Sequence, residues 1–201
     1  MLLMWKKMHW SRVMVILFIY TLCGTCNDLI LSLFHLPTKQ GRRFTNIFSC
    51  IEFFSFLYIY FIIWKKNKTY KTVFRLLLLS FLLVFVYSIT FLGLFSKSNH
   101  VVNTFMCITF SFLSVLYFFQ LLDNFEMPRL SDNYLLWLNT AIMIFFFGTL
   151  FLSIFRNQIM DKNSSEVIHN LWNLYNVFNI SFNILLGITV YKWIRMNKLS
   201  S

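Results

Sequence analysis

Apolar residues in this chain neither alternate nor recur on one narrow face. They continue for twenty positions and more, interrupted by short charged stretches. Six such runs stand out, at about 13–34, 44–64, 73–95, 101–122, 134–155 and 170–191, each 21 to 23 residues long. At about 1.5 Å rise per residue a helix of that length covers roughly 32–34 Å, enough to cross a hydrocarbon core of about 30 Å with some tilt. The two-residue period of a membrane β-barrel strand is missing, so the runs predict helices. The expected fold is an all-α integral membrane bundle of six transmembrane helices, forming a single domain over 1–201. Pro37 and Pro128 fall between the runs, so no span is broken by proline.

Composition supports this reading. Hydrophobic residues make up 58% of the 201 positions and charged residues only 12%, and the mean hydropathy is +0.66. A soluble domain carries about 25% charged residues. The net charge of +11 would suggest a nucleic-acid partner, but its distribution points elsewhere. Lysine and arginine sit at span ends and in connecting segments, where they set orientation. With the N-terminus inside, twelve of them are cytoplasmic, including Lys6, Lys7, Arg12, Lys65, Lys66, Lys68, Lys71, Arg75 and Lys192, and six are outside. Both termini are therefore expected in the cytoplasm, with the first span an uncleaved signal anchor and the lipid bilayer, not nucleic acid, as the partner. No segment between spans exceeds 14 residues, too few for a folded kinase or nucleotide-binding domain.

Against this apolar background the polar residues are conspicuous. Asp28 and Glu52 are the only acids within spans. An intramembrane carboxyl is expensive to keep and is a functional candidate by default. Counted from the outer ends of their spans, the two lie at about 9 Å and 12 Å depth, which predicts that they are neighbours. Thr45, Ser49 and Glu52 share one face of the second span, and Asn103, Cys107, Ser111 and Ser114 share one face of the fourth. The last span carries the longest stripe: His169, Asn173, Asn176, Asn179 and Asn183 fall within about a third of a turn, and Gly187 extends it. Lipid cannot satisfy an amide, so this stripe is expected to face protein or trapped water. The third span is the least polar and is the expected lipid-facing wall.

These positions predict a polar pocket in the outer half of the bundle, lined by Asp28, Glu52, Asn173, Asn176, Asn179 and His169, that accepts a small ligand, an ion or a proton. Two other chemistries use the same residues. A lipid hydrolase would take Asp28 and Glu52 as acid and base with His169 beside them. A small proton-coupled transporter would take Glu52 as its ion site. The "CGTC" at 23–26 lacks a second cysteine pair and the βαβ setting of a redox fold, so no metal, redox or other cofactor role is expected of it.

The stretch "NIFSCIEFF" resembles an N-x(5)-E pattern found in small multi-pass membrane proteins of the Bacteroidota. "LLWLNTAIMIFFFGTLFLSIFRN" and "HNLWNLYNVFNISFNILLGI" are similar to the last two helices of those proteins. Some of them look like the membrane part of sensor histidine kinases or are encoded beside them. The resemblance implies an inner-membrane sensory or accessory signalling module, not an enzyme itself, working with a separate histidine kinase or other membrane partner.

Overall fold

The structure is a computed structural model, and it describes residues 11–33, 38–64, 68–91, 100–123, 132–160 and 165–199. Six helices account for nearly all of them: α1 (Arg12–Leu33), α2 (Thr38–Trp64), α3 (Lys68–Thr90), α4 (His100–Asp123), α5 (Tyr134–Met160) and α6 (Ser165–Leu199). No strand occurs among the described residues. All six helices are long and apolar enough to cross a membrane. The chain is thus an all-helical protein of the multi-pass type. Pro37 and Pro128 lie outside the described residues.

Helix and apolar run coincide less closely at the ends than in the middle. α2 begins at Thr38, six residues before its apolar run, and α6 continues to Leu199, so that it is 35 residues long. Hydropathy reports where lipid stops, whereas a helix continues into water wherever its residues permit. Two starts carry side-chain caps. Ser11 accepts the Met14 amide at 3.3 Å, and Asn133 Oδ1 accepts the Leu135 amide at 3.0 Å. Each satisfies an N–H that the first helical turn leaves unpaired.

The described helices form two compact units that divide between Met106 and Cys107, inside α4. The first holds α1, α2, α3 and the opening turns of α4. Its core is aromatic. Phe53 stacks on Phe81 with centroids 3.6 Å apart, Phe105 lies within 6.4 Å of both, and Tyr60, Trp64 and Phe74 continue the cluster along α2 and α3. The second unit holds the rest of α4 with α5 and α6. Phe110 meets Phe146 at 4.8 Å and Phe145 meets Phe182 at 4.9 Å, around a buried layer of Leu113, Leu138, Ala141 and Ile142. Such contacts add to plain area burial because ring quadrupoles favour tilted and offset pairs.

Large apolar side chains are exposed on all six helices, as a lipid solvent allows. α3 shows it best. Leu76, Leu79, Leu82, Leu83, Val86 and Tyr87 are exposed, and only 17% of its most apolar stretch is buried, against 44% in α4 and α5.

The orientation expected from charge is directly testable. In a cysteine-free background, a membrane-impermeant thiol reagent should label Asn163→Cys in intact cells and Asn67→Cys only after permeabilisation. The reverse pattern would reject the N-inside arrangement that the lysine and arginine distribution predicts.

Candidate functional site

The first unit begins with an antiparallel hairpin of α1 and α2, and its register can be read from three contacts. Tyr20 Oη donates a hydrogen bond to Glu52 Oε1 at 2.9 Å. A Cβ added at Gly24 would meet the Phe48 ring at 3.3 Å, and one added at Gly41 would meet Leu31 at 3.2 Å. Each step of four or seven residues up α1 matches an equal step down α2. The two glycines give the helices room to approach, as small residues do in membrane helix pairs.

Tyr20 is the anchor of this seam. It is buried, with its ring stacked on Phe48 at 5.7 Å and tilted against Phe56 at 4.8 Å. These two rings aim its hydroxyl at the half-buried Glu52. A phenol buried in an apolar setting needs a partner for its O–H, and the carboxyl supplies one. The other polar residues on this face of α2 satisfy themselves. Ser49 Oγ donates to the Thr45 carbonyl at 3.1 Å, and Thr45 Oγ1 donates to the Gly41 carbonyl at 3.1 Å. Asn27, level with Thr45 in this register, has its side-chain oxygen buried without a partner among the described residues. Asn46 and Ser49 are buried nearby on α2. The seam therefore combines a carboxyl, a phenol and an unused amide oxygen between two helices.

The expected neighbour of Glu52 was Asp28, with Asn173 or Asn176 opposite. The observed partner is Tyr20. Asp28 lies eight residues further along α1 than Tyr20, about 12 Å along the axis, and is exposed, with Asn27 Nδ2 as its donor at 3.4 Å. Depths counted from the apolar runs miss this register, because α2 starts at Thr38, six residues before its run. Asn173, Asn176 and Asn179 belong to the second unit. Asn173 and Asn176 are exposed, and Asn179 is half-buried and accepts from Asn183 Nδ2 through both its backbone and side-chain oxygens, at 2.9 and 3.2 Å. The backbone of His169 lies in α6; its side chain is outside the described residues. Of "CGTC", Cys23 is half-buried and Cys26 exposed on α1, both as free thiols.

Tyr20 itself escaped the reading of the sequence. The signal was present: Tyr20, Gly24, Asn27 and Leu31 recur at helical spacing and mark the face of α1 that meets α2.

Two polar contacts of the second unit tie helices together. Asn139 Nδ2 donates to the Ser114 carbonyl at 3.1 Å, and Cys107 Sγ lies 3.3 Å from Thr149 Oγ1. Of the polar face of α4, Cys107 contributes its side chain here and Ser114 its backbone carbonyl. At one end of α6, Lys192 Nζ pairs with Asp132 at 3.0 Å. No family model matches the chain, no curated protein matches its sequence, and no solved structure matches its fold.

Proposed function

We propose that this protein is a multi-pass inner-membrane sensory or accessory signalling subunit whose responsive element is the α1–α2 seam. The observation that carries the reading is the Tyr20–Glu52 hydrogen bond, a carboxyl within an apolar span closed by a phenol from the neighbouring helix. A group that costly to place in a membrane is retained for a use, and a contact made by one hydrogen bond is cheap to exchange. A small polar ligand, a cation or a proton that engages Glu52 competes with Tyr20 for its carboxyl.

The helix that carries Glu52 also provides a route to the cytoplasm. Trp64, twelve residues on and about 18 Å away along α2, stacks on Tyr70 of α3 at 4.7 Å with an angle of 13°. These rings bracket the basic segment 65–72. Movement of α2 against α1 thus displaces a positively charged segment that faces anionic lipid or a separate partner such as a histidine kinase.

The test expresses wild type, Tyr20→Phe and Glu52→Gln at matched membrane levels in a deletion strain. Phosphorylation of response regulators is measured alongside proton entry into vesicles reconstituted with the purified chain. A signalling role predicts a change in phosphorylation of about fivefold or more in at least one variant, the scale of ordinary allosteric coupling. Unchanged phosphorylation together with a proton flux abolished in Glu52→Gln would replace this reading with a proton-coupled carrier.

A further inference from the structure

The second unit contains a polar helix face that its own fold does not use. α6 packs on α5 with Phe182 tilted against Phe145 at 4.9 Å, and Phe182, Leu186, Thr189 and Trp193 form the buried face of α6. At 100° per residue, the line through Asn173, Asn176, Asn183 and Gly187 lies about 130° around the helix from that buried face. All four residues are exposed, and nothing lies within 4 Å of the position a Cβ would take at Gly187.

In water such a face would be unremarkable. Here most of it lies at membrane depth. The Lys192–Asp132 pair marks one polar boundary. A hydrocarbon core of about 30 Å measured from there takes up about twenty residues and ends near Trp172. Asn183 then sits near the middle of the membrane and Asn176 well inside it. Asn183 spends its N–H donors on Asn179 of its own helix, but its carbonyl oxygen remains. Asn173 and Asn176 make no hydrogen bond to a described residue. Hydrocarbon satisfies none of these groups, so the face needs a protein cover.

We infer that the cover is a second copy of this chain, and that the protein is a parallel two-fold dimer closed along the Asn173–Gly187 face of α6. Three features favour a copy over a different protein. A carboxamide carries both donor and acceptor, so the same face turned through a two-fold axis satisfies itself. The face bears no charged side chain between Asn173 and Gly187, so a symmetric pairing brings no like charges together. The open space at Gly187, four residues from Asn183, allows the close backbone approach that membrane helix pairs use. Both copies insert with the same orientation, so each residue meets its own equivalent at the same depth. The inference does not depend on the reading of the Tyr20–Glu52 seam.

The register makes the dimer testable by position. Single cysteines at Asn176→Cys, Asn183→Cys and Gly187→Cys, in a chain with Cys23, Cys26, Cys50 and Cys107 replaced by Ala, are oxidised in native membranes. Leu174→Cys, exposed on another side of the same helix, is the control. The expected result is a covalent dimer of the chain at the three face positions and little at 174. Equal cross-linking at all four positions, or a product whose mass shows a different polypeptide, would overturn the inference.

A second measurement needs no cysteine replacement. Wild type in mild detergent and in nanodiscs should have the protein mass of two chains. Asn176→Leu combined with Asn183→Leu should raise the dimer dissociation constant about tenfold while helix content and thermal midpoint stay those of the wild-type monomer. A wild-type chain that is monomeric at every concentration in both media would reject the dimer.

Discussion

Tyr20→Phe should destabilise the protein by about 1–3 kcal/mol, because it removes the O–H that satisfies a carboxyl within the membrane and puts nothing in its place. Glu52→Gln should stay within about 0.5 kcal/mol of wild type, since an amide oxygen accepts the same bond that the carboxyl oxygen accepts. Glu52→Leu strands the Tyr20 hydroxyl instead and should fall nearer to Tyr20→Phe. The decisive quantity is the coupling energy from the double-mutant cycle of Tyr20→Phe and Glu52→Leu, measured by reversible unfolding in mixed detergent. Interhelical hydrogen bonds in membranes average about 0.6 kcal/mol and reach about 1.7. This bond should fall in the upper part of that range, because the Phe48 and Phe56 rings hold the phenol in place and little side-chain freedom is lost on forming it. A coupling indistinguishable from zero would show that the two groups do not interact, and the seam would lose its role.

Gly148→Val should loosen the α5–α6 pair by about 1–3 kcal/mol, the usual cost of overpacking. A Cβ at that position would lie 2.5 to 2.7 Å from three atoms of the Phe178 ring. A flat ring met along one side cannot yield by bending a flexible tip. Either Phe178 changes rotamer or the two helices separate, and their separation opens the Phe145–Phe182 contact as well. Gly148→Ala offers an informative comparison, since alanine gains about 1 kcal/mol of helix propensity over glycine and offsets part of the clash. Adding Phe178→Ala to Gly148→Val should recover much of the loss if the ring is the obstacle. Thermal unfolding of the three variants decides it; a Gly148→Val protein as stable as wild type would mean that Phe178 moves aside freely.

Both predictions concern contacts across helices, and that is where the sequence stopped being informative. Six apolar runs determined six helices for a simple reason: in hydrocarbon a backbone must satisfy its own N–H and C=O groups, and a run of about twenty apolar residues leaves the helix as the solution. The lipid-facing character of α3 was equally legible, since a run such as "LLLLSFLLVFV" offers no polar face to turn inward. Periodicity also grouped Thr45 with Ser49 and Glu52, and Asn173 with Asn176 and Asn183, because side chains three and four residues apart on a helix point the same way whatever surrounds them.

Periodicity does not say what stands across from a face. Glu52 meets Tyr20 because α2 starts at Thr38 and the α1–α2 hairpin closes in the register set by Gly24 against Phe48 and Leu31 against Gly41. A shift of eight residues would have brought Asp28 there; the spacing of Tyr20, Gly24, Asn27 and Leu31 marks a face of α1 but does not say which residue of α2 stands across from each. In the same way, α6 has two stripes of comparable length. The tertiary structure buries Phe182, Leu186 and Trp193, with Phe182 against Phe145 of α5, and leaves Asn173, Asn176 and Asn183 exposed. The aromatic stripe finds matching rings at Phe145 and a gap at Gly148 that admits Phe178, and so gains dispersion contacts that the amides would not make there. Which face is buried is a property of the pair of helices, and neither helix encodes it alone.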